Sequence, residues 1–371
     1  MVRFTVLASG SKGNCTVVSG GRTRILIDAG LSCRELFKRM KLAGEDPSTL
    51  DAIVITHEHQ DHIYGLAVTA RKLSIPVYFT EATHRAWMRW LTPRRTMTYA
   101  EWLEQCRKQA AERQAEAAPA AEEGEADETD AVVAAETAET AAEATFAAGD
   151  GADLETGAVS VLPPGQSTSG FARSPGGVTG GTDPGGAPAE PAAGQAPSRK
   201  DDPTWLPGVE YFEAGRPFAV GDIALSPFTI PHDAADPVGF TLQAEGVRMG
   251  FATDLGYIPP NVKAQLRGLD LLLLESNHDL EMLRDGPYPW SVKQRVMSRV
   301  GHLSNDAAAE FLSTGYDGQA AYVILAHLSE SNNLPELARV SADRALSDRA
   351  NLLANRLLLA GQHCPMDAIT F

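Results

Sequence analysis

The sequence predicts an α/β fold built from packed sheets with helices outside them, and three observations carry that expectation. Short apolar runs of strand length alternate with stretches of helical spacing, in two halves of comparable content. Asp28, His57, His232, Asp254 and His327 each stand directly after an apolar run, so strand ends converging on one sheet edge would gather all five. Between the halves lies a long stretch of different composition. Strands in runs with helices between them suggest two sheets face to face, a four-layer sandwich, although periodicity alone does not separate this from other α/β layouts.

Residues 3–8 read as a strand, followed by a tight turn of Gly and small polar residues at 9–14. Residues 15–19 and 24–27 read as the next two strands, with Gly20 and Gly21 as the hairpin turn between them. Ser32 is a helix N-cap with Glu35 at the capping-box offset, so a helix is expected to about residue 42. The run 51–56 is a strand, 63–73 a helix, 76–80 a strand and 81–91 a helix. In the second half, strands are expected at 216–220, 222–230, 238–244, 248–253, 269–276, 321–326 and 366–371. Helices are expected at 259–266, 291–298 and 305–314, and over most of 334–358.

The 371 residues suffice for one large domain or two ordinary ones. The formal net charge of −16 argues, taken alone, against a nucleic-acid partner. That charge is concentrated: 19 acidic and 6 basic residues lie between Glu104 and Thr204, leaving 29 acids and 26 bases elsewhere. The remainder is nearly neutral, and polyanionic substrates are not excluded. From 117 to 203 the chain is Ala, Glu, Gly, Pro, Ser and Thr with hardly an aromatic, and it buries too little apolar surface to offset chain entropy. The expected organisation is one domain, 1–92 with 208–371, interrupted by a largely disordered acidic insertion at 93–207. Cys15, Cys33, Cys106 and Cys364 show no CxxC spacing, which argues against a disulfide framework or thiolate zinc site and fits a reducing, cytoplasmic setting. No signal peptide and no membrane span are read in the sequence.

The chemistry centres on THEHQDH at 56–62, which places His57, His59, Asp61 and His62 straight after an apolar run. Neutral imidazole is the commonest metal ligand, and a neighbouring carboxylate adds a harder oxygen donor. His57 and His59, at i and i+2, leave a strand on one face and can meet one ion, while Asp61 and His62 follow where a turn can aim them at a second.

With Asp28 before it and His232, Asp254 and His327 after it, this cluster resembles the metallo-β-lactamase superfamily and, more narrowly, its YycJ/WalJ group. The matching stretches include FTVLASGS from Phe4, LIDAG ending at Gly30, FATDLGY ending at Tyr257, ESNHD ending at Asp279, MLRDGPYPW ending at Trp290, GHLSN ending at Asn305 and LAHLS ending at Ser329. The long insertion is the main departure from that group. The resemblance implies an αββα sandwich and a site for two divalent ions, zinc or manganese. His57, His59 and His232 would hold the first ion, Asp61, His62 and His327 the second, and Asp254 would bridge them. Asp28 would orient a ligand imidazole from behind, and His302 would protonate the leaving group.

The ligands alone do not choose among lactam, thioester, lactone and phosphodiester. The carboxylate Asp61, the acid-like His302 and the basic, aromatic stretch with Arg284, Lys293, Arg295, Tyr288 and Trp290 favour phosphodiesters. Ser9, Ser11, Asn14, His278, Ser329, Asn332 and Asn333 are further candidate substrate contacts. The expected activity, as the resemblance implies, is a metal-dependent 5′-to-3′ DNA exonuclease using a metal-activated water. A ribonuclease Z-like or small cyclic-phosphodiester hydrolase is one alternative. The other is a regulatory module with structural metals, whose acidic insertion binds a protein partner.

Overall fold

The structure is a computed structural model that describes residues 1–92, 104, 107, 108, 202–347 and 356–371. Met1–Pro93 and Pro197–Phe371 form one compact unit. The expected disorder of the acidic stretch, and the partner reading attached to it, lie outside the described residues.

Two seven-stranded mixed sheets make up the compact unit. The first has β1 (Arg3–Ala8), β2 (Cys15–Ser19), β3 (Arg24–Ile27), β4 (Ala52–Val54), β5 (Val77–Phe79) and β6 (Val209–Tyr211) in sequence order, with β14 (Ile369–Thr370) on the edge beside β1. The second runs from β7 (Phe218–Val220) through β8 (Ile223–Thr229), β9 (Val238–Ala244), β10 (Val247–Ala252), β11 (Leu271–Glu275) and β12 (Tyr322–Ala326) to β13 (Arg356–Leu359). In each sheet antiparallel hairpins give way to parallel strands, from β3 to β6 in one and from β10 to β13 in the other. Parallel neighbours need crossovers, and here helices supply most of them, which covers the outer faces.

Side-chain alternation sorts the strands into three cores. Ile25, Ile27, Leu271 and Leu273 point between the sheets and meet Phe4, Phe240 and Ile324. Leu26 and Ile53 point the other way, towards α1 (Cys33–Leu42), α3 (Leu66–Leu73) and α4 (Glu81–Leu91), and pack on Leu36, Met40, Leu66 and Trp87. Leu272 and Leu274 meet Val262 of α5 (Pro260–Gln265) and Ala338 and Ala342 of α9 (Pro335–Ser347). The result is the expected αββα layering.

Two local expectations are corrected. The helix expected over most of 334–358 is Pro335–Ser347 among the described residues, but its expected end is not helical: Arg356–Leu359 is a strand paired parallel to β12. A Leu-rich run leans to helix by propensity, and the open edge of β12 overrides it. The helix expected at 305–314 is α8 (Asn305–Glu310) followed by a single π turn, Phe311–Gly315. Two more short helices, α2 (Gln60–Ile63) and α6 (Leu280–Asp285), had no separate sequence signal, whereas α7 (Trp290–Val296) falls where a helix was expected. Among the described residues no helix is long and apolar enough to cross a membrane.

Leu273 is 1% exposed between the sheets, so Leu273→Ala is expected to lower unfolding free energy by about 2–5 kcal/mol. Urea denaturation reads this directly, and an unchanged midpoint contradicts the assigned core.

Candidate metal centre

The site lies where the strands end. β3 stops at Ile27 before Asp28, β10 leads to Asp254, β11 ends at Glu275 and β12 leads to His327. Asp28, Asp254 and His327 all leave their strands with positive φ, at 59°, 60° and 56°. A non-glycine residue in that region carries backbone strain and is retained only where the surroundings hold it. Each of the three is buried; Asp254 and His327 turn their side chains into one cluster, and Asp28 reaches it through His62.

The loop after β4 brings the other ligand candidates. Asn14 N donates to Asp61 O at 2.7 Å and Ala29 N to His62 O at 2.7 Å, clamping α2 against the turns after β1 and β3. Contact is so close that a Cβ on Gly30 would lie 1.6 Å from Asp61 O. Glycine is required there by close approach. At the edge between the sheets, Val238 N donates to Thr56 O at 3.2 Å.

His57, His59 and His232 form one group whose ligand atoms converge, and Asp61, His62 and His327 form another. His232 Nδ1 donates to Gly301 O at 3.1 Å, so its Nε2 faces inward, 3.1 Å from His59 Nδ1. His57 Nδ1 lies 3.0 Å from Thr56 Oγ1, leaving Nε2 buried without a hydrogen bond. In the second group Asp61 Oδ2 is 3.4 Å from His62 Nε2 and 3.3 Å from His327 Nε2. Asp254 stands between the groups, with Oδ2 3.3 Å from His62 Nε2 and Oδ1 3.9 Å from His232 Nε2. Its Oδ2, like His57 Nε2, is buried and has no hydrogen bond. Two orphaned ligand atoms at the heart of a His and Asp cluster fit divalent cations.

The charges point the same way. Burial pushes the Asp61 carboxyl up, but His62 and His327 outweigh it and hold it well below the usual carboxylate range. For Asp254 burial again opposes ionisation, and His327, His62 and His57 prevail. Burial drives the His57 imidazole well below its ordinary value and takes His232 down to about 4, which keeps both rings neutral and able to donate a lone pair. The cluster is arranged around positive charge.

Support comes from behind. Asp28 Oδ2 accepts from His62 Nδ1 at 2.8 Å, and Thr56 N and Oγ1 donate to the same carboxylate. The carboxylate thereby meets the outer nitrogen of a ligand candidate. Glu275 does the corresponding work in the second sheet and was not singled out in the sequence. Its Oε1 accepts from His302 Nδ1 at 2.8 Å and His327 Nδ1 at 2.9 Å, and its Oε2 from the backbone of Leu255 and Leu303. Burial opposes its charge, but His302 and His327 hold it at about 2. In the sequence it showed only as the acid closing the run LLLLE and opening the matching stretch ESNHD.

The expected substrate contacts divide. Asn14 Nδ2 lies 2.9 Å from Asp61 Oδ2, and Ser9 Oγ accepts from His327 N at 2.8 Å, so both brace ligand candidates. Asn333 is a correction: its buried amide is consumed by Ser276 O, Asn277 O and Asn305, which ties loop to loop and leaves nothing for substrate. Ser329 Oγ accepts from Asn332 N within the loop after β12. His278 and Asn332 are each 1% exposed, below the surface, whereas Ser11 is exposed. Arg284 pairs with Asp285, and Lys293 donates to Arg284 O. Arg295 pairs with Asp233, whose Oδ1 is 3.6 Å from His232 Nε2, placing a guanidinium beside the first histidine group. Trp290 is 62% exposed. His84 is structural, with Nδ1 2.8 Å from Tyr211 Oη.

Glu275→Ala leaves two imidazole and two backbone donors without their acceptor. It is expected to cost about 3–5 kcal/mol of stability and about 10–100-fold in metal affinity, measured by thermal unfolding and chelator competition. Wild-type metal affinity in this variant contradicts the role given to Glu275.

Comparison with known proteins agrees with this geometry. The sequence profile of the Metallo-beta-lactamase superfamily matches residues 8–144, and that of the Beta-lactamase superfamily domain matches 195–328. The exodeoxyribonuclease YycJ of Bacillus anthracis is 28% identical over 351 residues, spanning 94% of this chain and 90% of the relative. The exodeoxyribonuclease WalJ of Streptococcus pneumoniae is 25% identical over 339 residues, spanning 91% and 86%. Among solved structures, the metallo-beta-lactamase fold protein YhfI from Bacillus subtilis aligns with TM-score 0.52 at 11% identity, over 99% of this chain and 100% of that one. Zn(2+)-bound PqqB from Methylobacterium extorquens aligns at 0.51 and 12%, over 98% and 99%. These two likenesses concern the fold alone. The chain is a YycJ/WalJ-like protein of the metallo-β-lactamase superfamily and a metal-dependent hydrolase.

Proposed function

We propose that the chain is a binuclear metal-dependent phosphodiesterase that degrades DNA from the 5′ end. The observation that carries the reading is His302. Its Nδ1 is tied to Glu275, and its ring stands 5.2 Å from both His232 and His327, at the meeting point of the two histidine groups. It is 20% exposed where the ligand candidates are mostly buried. Nδ1 is occupied, so Nε2 is the atom left to give a proton to a departing oxygen. A leaving alkoxide needs that proton, whereas the thiolate of a thioester departs without one.

His57, His59 and His232 would hold one cation and Asp61, His62 and His327 the other, with Asp254 between them. When bound, the pair supplies Lewis acidity and charge neutralisation for attack of water on phosphorus. The histidine-rich set suits zinc, and the carboxylates also admit manganese. Arg295, beside the first group, is placed to bind a phosphate, and exposed Trp290 offers a face on which a base can stack. The names of the two exodeoxyribonuclease relatives support DNA as the polymer. We take residues 1–92 and 208–371 as one catalytic domain interrupted by the acidic insertion. We place the enzyme in the cytoplasm, in keeping with free Cys15, Cys33 and Cys364.

His302→Ala is expected to lower cleavage of 5′-end-labelled duplex DNA by about 10²–10⁴-fold. Hydrolysis of bis(p-nitrophenyl) phosphate, whose leaving group departs without a proton, should fall far less. Equal losses on both substrates, or faster release from the 3′ end, contradict the proposal in its acid or its direction.

A further inference from the structure

A second feature lies away from the strand ends, on the outer surface of α1 and α3. α1 turns Leu36 and Met40 into the core and leaves Arg34, Lys38, Lys41 and Leu42 outside. α3 contributes Val68 and Lys72 from its own outer side. With Cys33 and Phe37 these line an open groove of about 670 Å³. No acidic residue lines it, although the chain as a whole is strongly acidic.

The groove has an apolar floor and a cationic rim. Leu42 is 68% and Val68 58% exposed, so two large aliphatic side chains face water beside the half-buried ring of Phe37. Lys72 Nζ sits 5.1 Å from the centre of that ring. Lys38 reaches Glu35 at 3.4 Å, but that carboxylate is held more closely by Arg39 at 2.9 Å. Arg34, Lys41 and Lys72 make no ion pair among the described residues. Unpaired cations around exposed aliphatic surface mark a place where something of opposite charge and apolar character belongs.

We propose that this groove docks a segment of a partner protein that carries acidic residues around an apolar or aromatic anchor. Such a segment uses both halves of the lining: carboxylates meet Arg34, Lys38, Lys41 and Lys72, and the anchor covers Leu42, Val68 and Phe37. A nucleic-acid strand fits less well. It would use the cations but leave the aliphatic floor wet, and Lys72 already covers a face of the only aromatic ring available for stacking. The proposal does not depend on the reaction catalysed at the strand ends.

The test is fluorescence anisotropy on the full chain with a labelled peptide, Asp-Asp-Leu-Asp-Asp-Leu-Phe. A second peptide carries Ser for Leu and Phe, and a third probe is a labelled single-stranded oligonucleotide. Saturable binding of the first peptide is expected, at least tenfold weaker for the Ser peptide and at least tenfold weaker in the double variant Lys41→Glu, Lys72→Glu. Both lysines are exposed, and hydrolysis of bis(p-nitrophenyl) phosphate by the variant should equal that of the wild type. No saturable peptide binding overturns the proposal, as does equal binding of the Ser peptide. Oligonucleotide binding that falls tenfold in the same variant gives the groove to nucleic acid and overturns it as well.

Discussion

Three carboxylates, Asp28, Asp254 and Glu275, are buried within a cluster of six imidazoles, with Asp61 at its rim. A protein interior does not tolerate so much negative charge unless positive charge and hydrogen bonds are supplied among the carboxylates. Much of the surrounding architecture serves that condition. Asp28 takes its bonds from His62 and Thr56, and Glu275 from His302, His327 and two backbone amides. Asp254 keeps one oxygen without a hydrogen bond. Bound divalent metal would satisfy that oxygen and the orphaned nitrogen of His57.

The fold makes this concentration possible by the way its parallel strands end. Each sheet delivers side chains from the carboxyl ends of neighbouring parallel strands, where backbone groups are released from the ladder and the chain is free to turn. Left-handed turns at Asp28, Asp254 and His327 aim those side chains across the edge rather than along it. The strain is held by tight packing, including contact between Gly30 and the Asp61 carbonyl that no side chain can share. Sheet packing and site geometry are therefore one problem. The sheets are joined at the same edge by the bond from Val238 to Thr56.

How much of this was legible in the sequence varied with distance along the chain. THEHQDH is local, and four of its residues could be recognised together. Strand ends such as Asp28, His232, Asp254 and His327 were visible because each closes an apolar run. Glu275 also closes one, but its partners lie 27 and 52 residues away, and nothing local says that a strand-ending acid is buried rather than solvated. Asn333 failed in the opposite sense: an Asn pair after a ligand candidate looks available, yet its amide is spent on loops brought together only by folding. The edge strand Arg356–Leu359 was missed because a Leu-rich run reads as helix until a neighbouring strand offers it a ladder.

The central claim is that Asp254 joins two metal-binding groups into one centre. Metal content of the purified chain, measured by mass spectrometry beside Asp254→Ala, tests it most directly. The account predicts two equivalents of divalent metal in the wild type and loss of at least one in the variant, with turnover lost alongside. A wild type that saturates at one equivalent, or a variant that keeps two ions and full activity, would contradict it.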